Sequence, residues 1–150
     1  KPPMPSPVTK TFAVGEDLTE VHRMMEELET FCGEQGFDDE LGSVARLALD
    51  EVLSNVIRHG QPDGHAPATS VTFRADAAGF EFEVSDACAP YNPLMRPDPN
   101  LDIPLIERKP GGLGVFLVKK LADDVRYERR DGRNHLWFRK HVAATTAPAA

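Results

Sequence analysis

The 150-residue sequence contains only two cysteines and no long apolar run. Cys32 and Cys88 are too few for a disulfide framework and lack the spacing of metal ligands, so we expect two reduced thiols. No apolar segment approaches the roughly 18 residues that cross a bilayer, and the amino terminus lacks the layout of a signal peptide. We therefore expect a cytoplasmic protein without a membrane segment.

Positive charge is also scarce, with 17 Lys and Arg residues against 24 Asp and Glu residues and a net charge of −7. The overall field would repel a phosphate backbone, which argues against direct binding of nucleic acid. An acidic chain can still bind a nucleotide if a cation and backbone NH dipoles are concentrated at the phosphates. For such a ligand the composition predicts Mg and a glycine-rich turn.

The chain has no long linker, charge block or internal repeat that would divide it. Residues 1–7 are rich in proline and residues 142–150 are mostly Ala, Thr and Pro, so we expect disordered tails at both ends. A chain of this length can bury about two-thirds of its unfolded surface around one core. We therefore expect one domain over residues 8–141.

Three segments have the apolar periodicity of helices. The first follows Asp17, which is a favourable N-cap residue. The second begins near Asp38 or Asp39 and ends at Gly60, with one continuous apolar stripe. The third, over residues 115–121, is apolar on most faces, as expected of a helix packed deeply against a sheet.

Five shorter segments have the composition of strands, namely Val8–Val14, Val71–Ala75, Phe80–Ser85, Val125–Arg129 and His135–Lys140. The first alternates weakly and suits a sheet edge, and the last two flank Asp131 and Gly132 as a hairpin. In this hairpin we expect Tyr127, Leu136 and Phe138 to be buried. These elements predict an α/β (α+β) two-layer sandwich, with a mixed, mostly antiparallel sheet and the helices on one face.

The second helix carries Glu51, Asn55 and Arg58 along one flank of its apolar stripe. An Asn oxygen is a suitable ligand for Mg, and a nearby carboxylate could take a proton from an attacking hydroxyl. The alternative is that these are ordinary polar residues at the border of an amphipathic helix. This flank alone does not decide between the two interpretations.

A predicted strand ends at Asp86 and is followed by 24 residues, 87–110, that include six prolines. A carboxylate in this position could accept a hydrogen bond from an exocyclic amine such as that of adenine. The alternative is an aspartate that starts a turn by bonding its own backbone. Long irregular segments inside a compact domain usually serve a function.

Gly111, Gly112, Leu113 and Gly114 open the third helix, so free NH groups and the helix dipole would face an anion there. The pattern is not a dinucleotide fingerprint, because the third glycine would fall at Leu117, and it is not a P-loop, because no Gly-Lys-Ser/Thr follows. The alternative is a flexible loop before a tight helix start.

Taken in order, the three motifs resemble the N box and the two glycine boxes of the gyrase, chaperone and histidine-kinase ATPase superfamily. The segments LALDEVLSNVIRHG, VSDACAPYNP and GGLGVFLVKKLADDVRYERRDGRNHLWFRK are similar to the anti-sigma factor serine-protein kinase family. The resemblance covers roughly residues 8–141 and implies a histidine-kinase-like ATPase fold.

By this resemblance Glu51 is the general base, Asn55 binds Mg, Asp86 reads the adenine amine of ATP, and Gly112 and Gly114 hold the phosphates. Further contacts to the nucleotide are implied for Arg58, Cys88, Pro90, Gly111, Leu113, Val115 and Phe116. Residues 91–110 would form a lid over ATP. Cys88 stands where the family usually has glycine, and we expect weaker ATP binding as a result.

The resemblance also implies partners, which are a sigma factor that is sequestered and an anti-anti-sigma antagonist that is phosphorylated on Ser or Thr. Homodimers are common in this family. The alternative function is a nucleotide-dependent protein-binding module with weak or no kinase activity. A sensor histidine kinase is disfavoured, because the chain before Glu51 is too short for a helical segment bearing the phosphorylated His.

Overall fold

A computed structural model describes residues 6–59, 68–104 and 113–142. Within these residues the chain forms five strands, three α-helices and one short 3-10 helix. In chain order they are β1 (Val8–Val14), α1 (Leu18–Glu34), α2 (Asp39–His59), β2 (Thr69–Asp76), β3 (Gly79–Asp86), the 3-10 helix (Pro93–Met95), α3 (Leu113–Leu121), β4 (Asp124–Arg130) and β5 (Arg133–His141). Most of both predicted tails and the end of the irregular segment lie outside the described residues.

The strands form one sheet in the order β1-β2-β3-β5-β4, and each of its four pairings is antiparallel. β1 lies at one edge, as predicted, and β4 lies at the other. Asp131 and Gly132, with φ values of 53° and 75°, form the tight turn between β4 and β5. Positive φ at both central residues gives a twist that matches the strands of a two-residue hairpin.

Capping groups and apolar stripes explain where the first two helices form. The Asp17 carboxylate accepts a hydrogen bond from the NH of Thr19 at 3.0 Å, and the Asp38 carboxylate accepts one from the NH of Leu41 at 2.9 Å. Both helices turn their apolar stripes inward and bury them against the sheet and each other. The predicted two-layer sandwich with helices on one face is thereby confirmed.

The core between the layers is rich in phenylalanine. Phe31 of α1 packs against Phe73 of β2 and Phe80 of β3, with ring centroids 5.6 and 6.0 Å apart. Phe82 and Phe138 stack between β3 and β5 at 4.9 Å. All five rings are fully buried, so the middle of the sheet is a rigid base for residues at the strand ends.

Two predicted burials are wrong. Helix α3 buries Val115 and Val118 but leaves Phe116 half-exposed, because α2 already covers β3 and β5 and α3 packs mainly against α2. Tyr127 is only partly buried, since it lies on the edge strand β4 and faces a cleft. Among the described helices, none combines the length and apolar character needed to cross a bilayer.

Candidate functional site

A cleft opens between α2 and the end of β3, where the irregular segment begins. Its described lining consists of Val52, Asn55, Val56, Val84, Asp86, Cys88, Ala89, Tyr91, Pro93, Tyr127, Asn134 and Leu136. A mainly apolar wall with a few convergent polar groups is typical of a site for a small molecule. We refer to this site as the α2–β3 cleft.

Asn55 contributes a buried amide to the α2 wall of the cleft, with 3% of the residue exposed. Its Oδ1 accepts a hydrogen bond from Arg58 Nη2 at 2.8 Å. Its Nδ2 has no hydrogen-bond partner among the described residues. A buried donor without an acceptor costs roughly 1–3 kcal/mol, so a ligand that supplies an acceptor here would recover that free energy.

Glu51 lies one turn before Asn55, at the junction of α2 with α3. A Cβ atom at Gly114 would overlap the Glu51 carboxylate, so any larger residue at position 114 would displace the Glu51 side chain from its present position. Arg58 Nη2 lies 3.7 Å from Glu51 Oε1. A proton acceptor, a guanidinium and the NH groups of a helix start therefore meet beside the cleft.

Asp86 forms the opposite wall of the cleft as the last residue of β3, and it is 5% exposed. Its Oδ1 accepts hydrogen bonds from the NH of Cys88 at 3.0 Å and from Asn134 Nδ2 at 2.9 Å. The turn considered from the sequence is therefore present. The described residues give Oδ2 no amide donor, which leaves the second carboxylate oxygen available to a ligand.

Cys88 lines the cleft in a backbone conformation that does not require glycine, since its φ is not positive. Burial, and then a hydrogen bond to Asp86, raises the pKa of its thiol to about 12. Burial likewise raises the pKa of the Cys32 thiol to about 11. Both cysteines are free in the structure, and both remain protonated and weakly nucleophilic at neutral pH.

Asn134 was not among the site residues predicted from the sequence; it is 6% exposed and lies opposite Asp86 in the register of β3 and β5. A signal was present, because Asn134 is a polar residue on the core-facing side of β5, two positions before Leu136. Tyr91 and Pro93 belong to the segment that the resemblance assigns to a lid, whereas the apolar lining residues of α2, β3 and β5 were not predicted as site residues. They reach the cleft through tertiary packing, which spacing along the chain does not reveal.

Several residues implied by the resemblance lie apart from the described lining. Pro90 is exposed, Val115 is buried, and Phe116 is half-buried with Lys120 Nζ 5.5 Å from its ring centroid. Leu113 is the first residue of α3. Gly111 and Gly112 lie outside the described residues.

The irregular segment after Asp86 is tied to α3 by Lys119. Its Nζ lies 2.9 Å from Asp98 Oδ1 and donates a hydrogen bond to the carbonyl of Leu94 at 3.5 Å. The Asn92 side chain caps the 3-10 helix by accepting from the NH of Leu94 at 2.9 Å. The part of the segment that borders the cleft thus has a defined path.

Three comparisons place these features among known proteins. The profile of the family described as histidine kinase-like ATPase domain matches residues 14–140. The serine/threonine-protein kinase BtrW from Bordetella bronchiseptica is 34% identical over 97 residues, which are 65% of this chain and 68% of BtrW. The solved RsbU and RsbW domains of Rv1364c from Mycobacterium tuberculosis match with a TM-score of 0.63 over 88% of this chain, at 13% identity. This chain covers 32% of that solved chain, so the structural match is evidence for the fold alone.

Proposed function

This chain belongs to the histidine kinase-like ATPase family, in its branch of anti-sigma factor serine/threonine-protein kinases, and from that premise we propose how it works. It binds ATP with Mg in the α2–β3 cleft and sequesters a sigma factor. It transfers the γ-phosphoryl group of ATP to a Ser or Thr of an anti-anti-sigma antagonist. Antagonist that has lost the phosphate then removes the protein from the sigma factor, which makes the pair a partner switch that regulates transcription.

One observation supports this proposal more than any other. Asn55 lines the same cleft that Asp86 borders from the opposite layer, and its buried Nδ2 has no hydrogen-bond partner among the described residues. The apolar wall between them suits a base, and the Asp86 carboxylate can accept a hydrogen bond from an exocyclic amine. The phosphates would then extend toward Glu51, Arg58 and the start of α3.

The corner formed by Glu51, Arg58 and Gly114 supplies what phosphoryl transfer needs from a protein. Glu51 takes the proton from the attacking Ser or Thr hydroxyl, and the oxygen of that hydroxyl forms a bond to the γ-phosphorus. The bond from that phosphorus to the β–γ bridging oxygen breaks, and ADP leaves with the electron pair. Arg58 and the NH groups at the start of α3 stabilise the negative charge of the transferring group.

The donor atoms present fit Mg that arrives with the nucleotide. Asn55 Oδ1 and the Glu51 carboxylate are hard oxygen atoms, which Mg prefers, and both face Arg58 Nη2, so this guanidinium would be displaced toward the phosphates when Mg is bound. Mg commonly takes its other ligands from phosphate and water. The described residues contain no group of three or more His, Cys, Asp or Glu side chains placed to hold a metal ion alone. Mg would supply charge neutralisation at the phosphates.

Calorimetric titration of the full chain with ATP, with and without Mg, tests the binding step. We expect binding that is stronger with Mg and that is weakened by Asn55→Ala. Absence of ATP binding under both conditions would overturn the proposed function.

Transfer is tested with γ-labelled ATP and candidate antagonist proteins from the same genome. Glu51→Gln should lower transfer by about 100-fold or more, because a positioned base contributes that much, with little change in ATP affinity. Glu26→Gln removes the same charge from the exposed face of α1 and serves as the control. ATP binding without transfer by the wild-type chain would favour the alternative, a nucleotide-dependent binding module.

A further inference from the structure

Asn134 uses both ends of its side-chain amide. Its Nδ2 donates to Asp86 Oδ1 at 2.9 Å and to the carbonyl of Ala89 at 3.0 Å. Its Oδ1 accepts from the NH of Tyr91 at 3.3 Å and from the hydroxyl of Tyr127. One buried side chain therefore joins the end of β3, the turn that follows it and strand β4.

Arg129 extends this connection from β4 to the same turn. Its Nη1 donates to the carbonyl of Cys88 at 2.7 Å and to Asn134 Oδ1 at 3.2 Å. The β4–β5 hairpin thus holds the backbone of the turn at Cys88, Ala89 and Tyr91.

The two hydrogen bonds to Asp86 Oδ1 come from different parts of the fold. The NH of Cys88 is part of the local turn, whereas the amide of Asn134 reaches Asp86 from another strand. Both bonds use Oδ1, so together they fix the rotation of the carboxylate and direct Oδ2 to its remaining surroundings. A carboxylate held by a single local bond would rotate more freely.

We propose that Asn134 is a positioning residue that orients Asp86 for recognition of the exocyclic amine of adenine. This inference rests on the proposed function of the α2–β3 cleft. Asn134 acts through Asp86 and through the turn, and it determines base selectivity without supplying the hydrogen bond to the base. Tyr127 and Arg129 in turn hold the amide of Asn134 in the orientation that presents Nδ2 to Asp86.

The test compares ATP with purine riboside triphosphate, which is the same nucleotide without the exocyclic amine. The wild-type chain should bind ATP about 10-fold or more tightly than the analogue, because a hydrogen bond to a charged group contributes a factor of this order. Asn134→Leu removes the amide at similar size. It should abolish this preference by weakening ATP binding, with little effect on binding of the analogue.

Asn134→Asp adds a second readout. At about pH 8 two carboxylates would face each other, and the preference for ATP should be lost. At about pH 5.5 a proton shared between them restores a donor to Asp86, so the preference should return, whereas Asn134→Leu stays defective at both pH values. At each pH the affinity of a variant is divided by that of the wild-type chain. This normalisation is needed because Tyr127, Cys88 and Arg129 also border this position and because ATP itself titrates.

Gln35→Glu serves as the control, because it adds the same charge near the Asp76 end of the sheet, away from Asp86. It should retain the wild-type preference. If both Asn134 variants keep the preference, or if they lose affinity for both nucleotides and Asn134→Asp does not recover, Asn134 merely supports the fold and the inference is wrong. Failure of the wild-type chain to bind either nucleotide would instead overturn the proposed function.

Discussion

Asn55 and Thr69 both bury a polar side-chain atom that has no hydrogen-bond partner among the described residues. Asn55 lines the α2–β3 cleft, whereas Thr69 begins β2 and is not part of the described lining. Proteins tolerate such cost at functional sites, where stability is given up for a group that a ligand will use. Substitutions at these two positions can therefore be compared to distinguish a buried group that a ligand uses from one that has no function.

Replacing Asn55 by Leu removes an unsatisfied buried donor and favours the helix, but it also removes the acceptor of the hydrogen bond from Arg58. The free energy of unfolding should therefore stay within about 1 kcal/mol of the wild-type value, while Mg-dependent binding of ATP is lost. Thr69→Val should be stabilising by about 1 kcal/mol with ATP binding intact. Urea denaturation and calorimetry measure both effects. A loss of more than about 2 kcal/mol in Asn55→Leu would show that a partner satisfies Nδ2 in solution.

Within the described part of the irregular segment, Lys119 of the third helix makes polar contacts. Lys119 contacts Asp98 and Leu94, whereas its neighbour Lys120 is exposed and lies over the ring of Phe116. If the segment acts as a lid, loss of the Lys119 contacts should affect the lifetime of bound nucleotide more than loss of an adjacent positive charge.

We therefore expect Lys119→Ala to speed dissociation of a fluorescent ATP analogue by up to about fivefold, since a partly exposed ion pair contributes at most about 1 kcal/mol. Lys120→Ala removes the same charge from the same helix and should have a smaller effect. High salt should reduce the difference, because it screens the ion pair. Equal dissociation rates in stopped-flow measurements would show that this contact does not restrain the segment.

The sequence allowed good prediction of elements that depend on local interactions. Asp17 and Asp38 mark helix starts because their carboxylates bond nearby NH groups, and Asp131 with Gly132 marks a hairpin because both residues accept positive φ. The strands extend one or two residues beyond their predicted bounds at some ends, where pairing with a neighbour continues past the apolar pattern.

Features that depend on how helices and strands pack against one another could not be predicted from the sequence. The pairing of β3 with β5 brings Asn134 to Asp86 across 48 residues of sequence, and no local pattern specifies that register. Helix α3 likewise lies beside α2 because α2 covers the central strands β3 and β5. The motifs therefore predicted Asn55, Asp86 and Cys88 of the described lining, and they did not predict the residues that orient Asp86.

Charge is unevenly distributed over the whole molecule. Residues 6–59 contain 12 Asp and Glu residues against 4 Lys and Arg residues, whereas residues 113–142 contain 8 Lys and Arg residues against 4 Asp and Glu residues. The two amphipathic helices are thus strongly acidic, and the α3–β4–β5 region is basic. This uneven charge attracts negatively charged partners to the α3–β4–β5 region and positively charged partners to the two amphipathic helices. The attraction weakens as salt is added.

Two carboxylates tie the far end of β5 to its neighbours. Burial alone would raise the pKa of Asp76, but hydrogen bonds from Arg139 and from the NH groups of Ala78 and Gly79 outweigh it and lower the pKa. The NH of His141 lowers the pKa of Asp123. Because the folded-state pKa lies below the unfolded value, this stability is complete above the unfolded pKa and is lost as the pH falls through the folded one.

Asp76→Asn should therefore be less stable than the wild type at neutral pH, and the difference should vanish as the wild-type carboxylate becomes protonated. Urea denaturation from about pH 7 to about pH 2.5 measures it. Asp131→Asn is the control, since Asp131 is 89% exposed in its side chain and Asn suits the same positive φ. A difference that does not depend on pH would mean that the interactions of Asp76 do not require its charge.

The strand order affects the order in which parts of the molecule fold. The β2–β3 and β4–β5 hairpins close over short stretches of chain, whereas the contact of Asp86 with Asn134 closes a long loop and so forms more slowly. A partly folded chain that holds both hairpins and all three helices still lacks the part of the cleft that β4 and β5 supply, namely Tyr127, Asn134 and Leu136. A ligand of the α2–β3 cleft would consequently bind only chains that have finished folding, and it would protect them selectively from degradation.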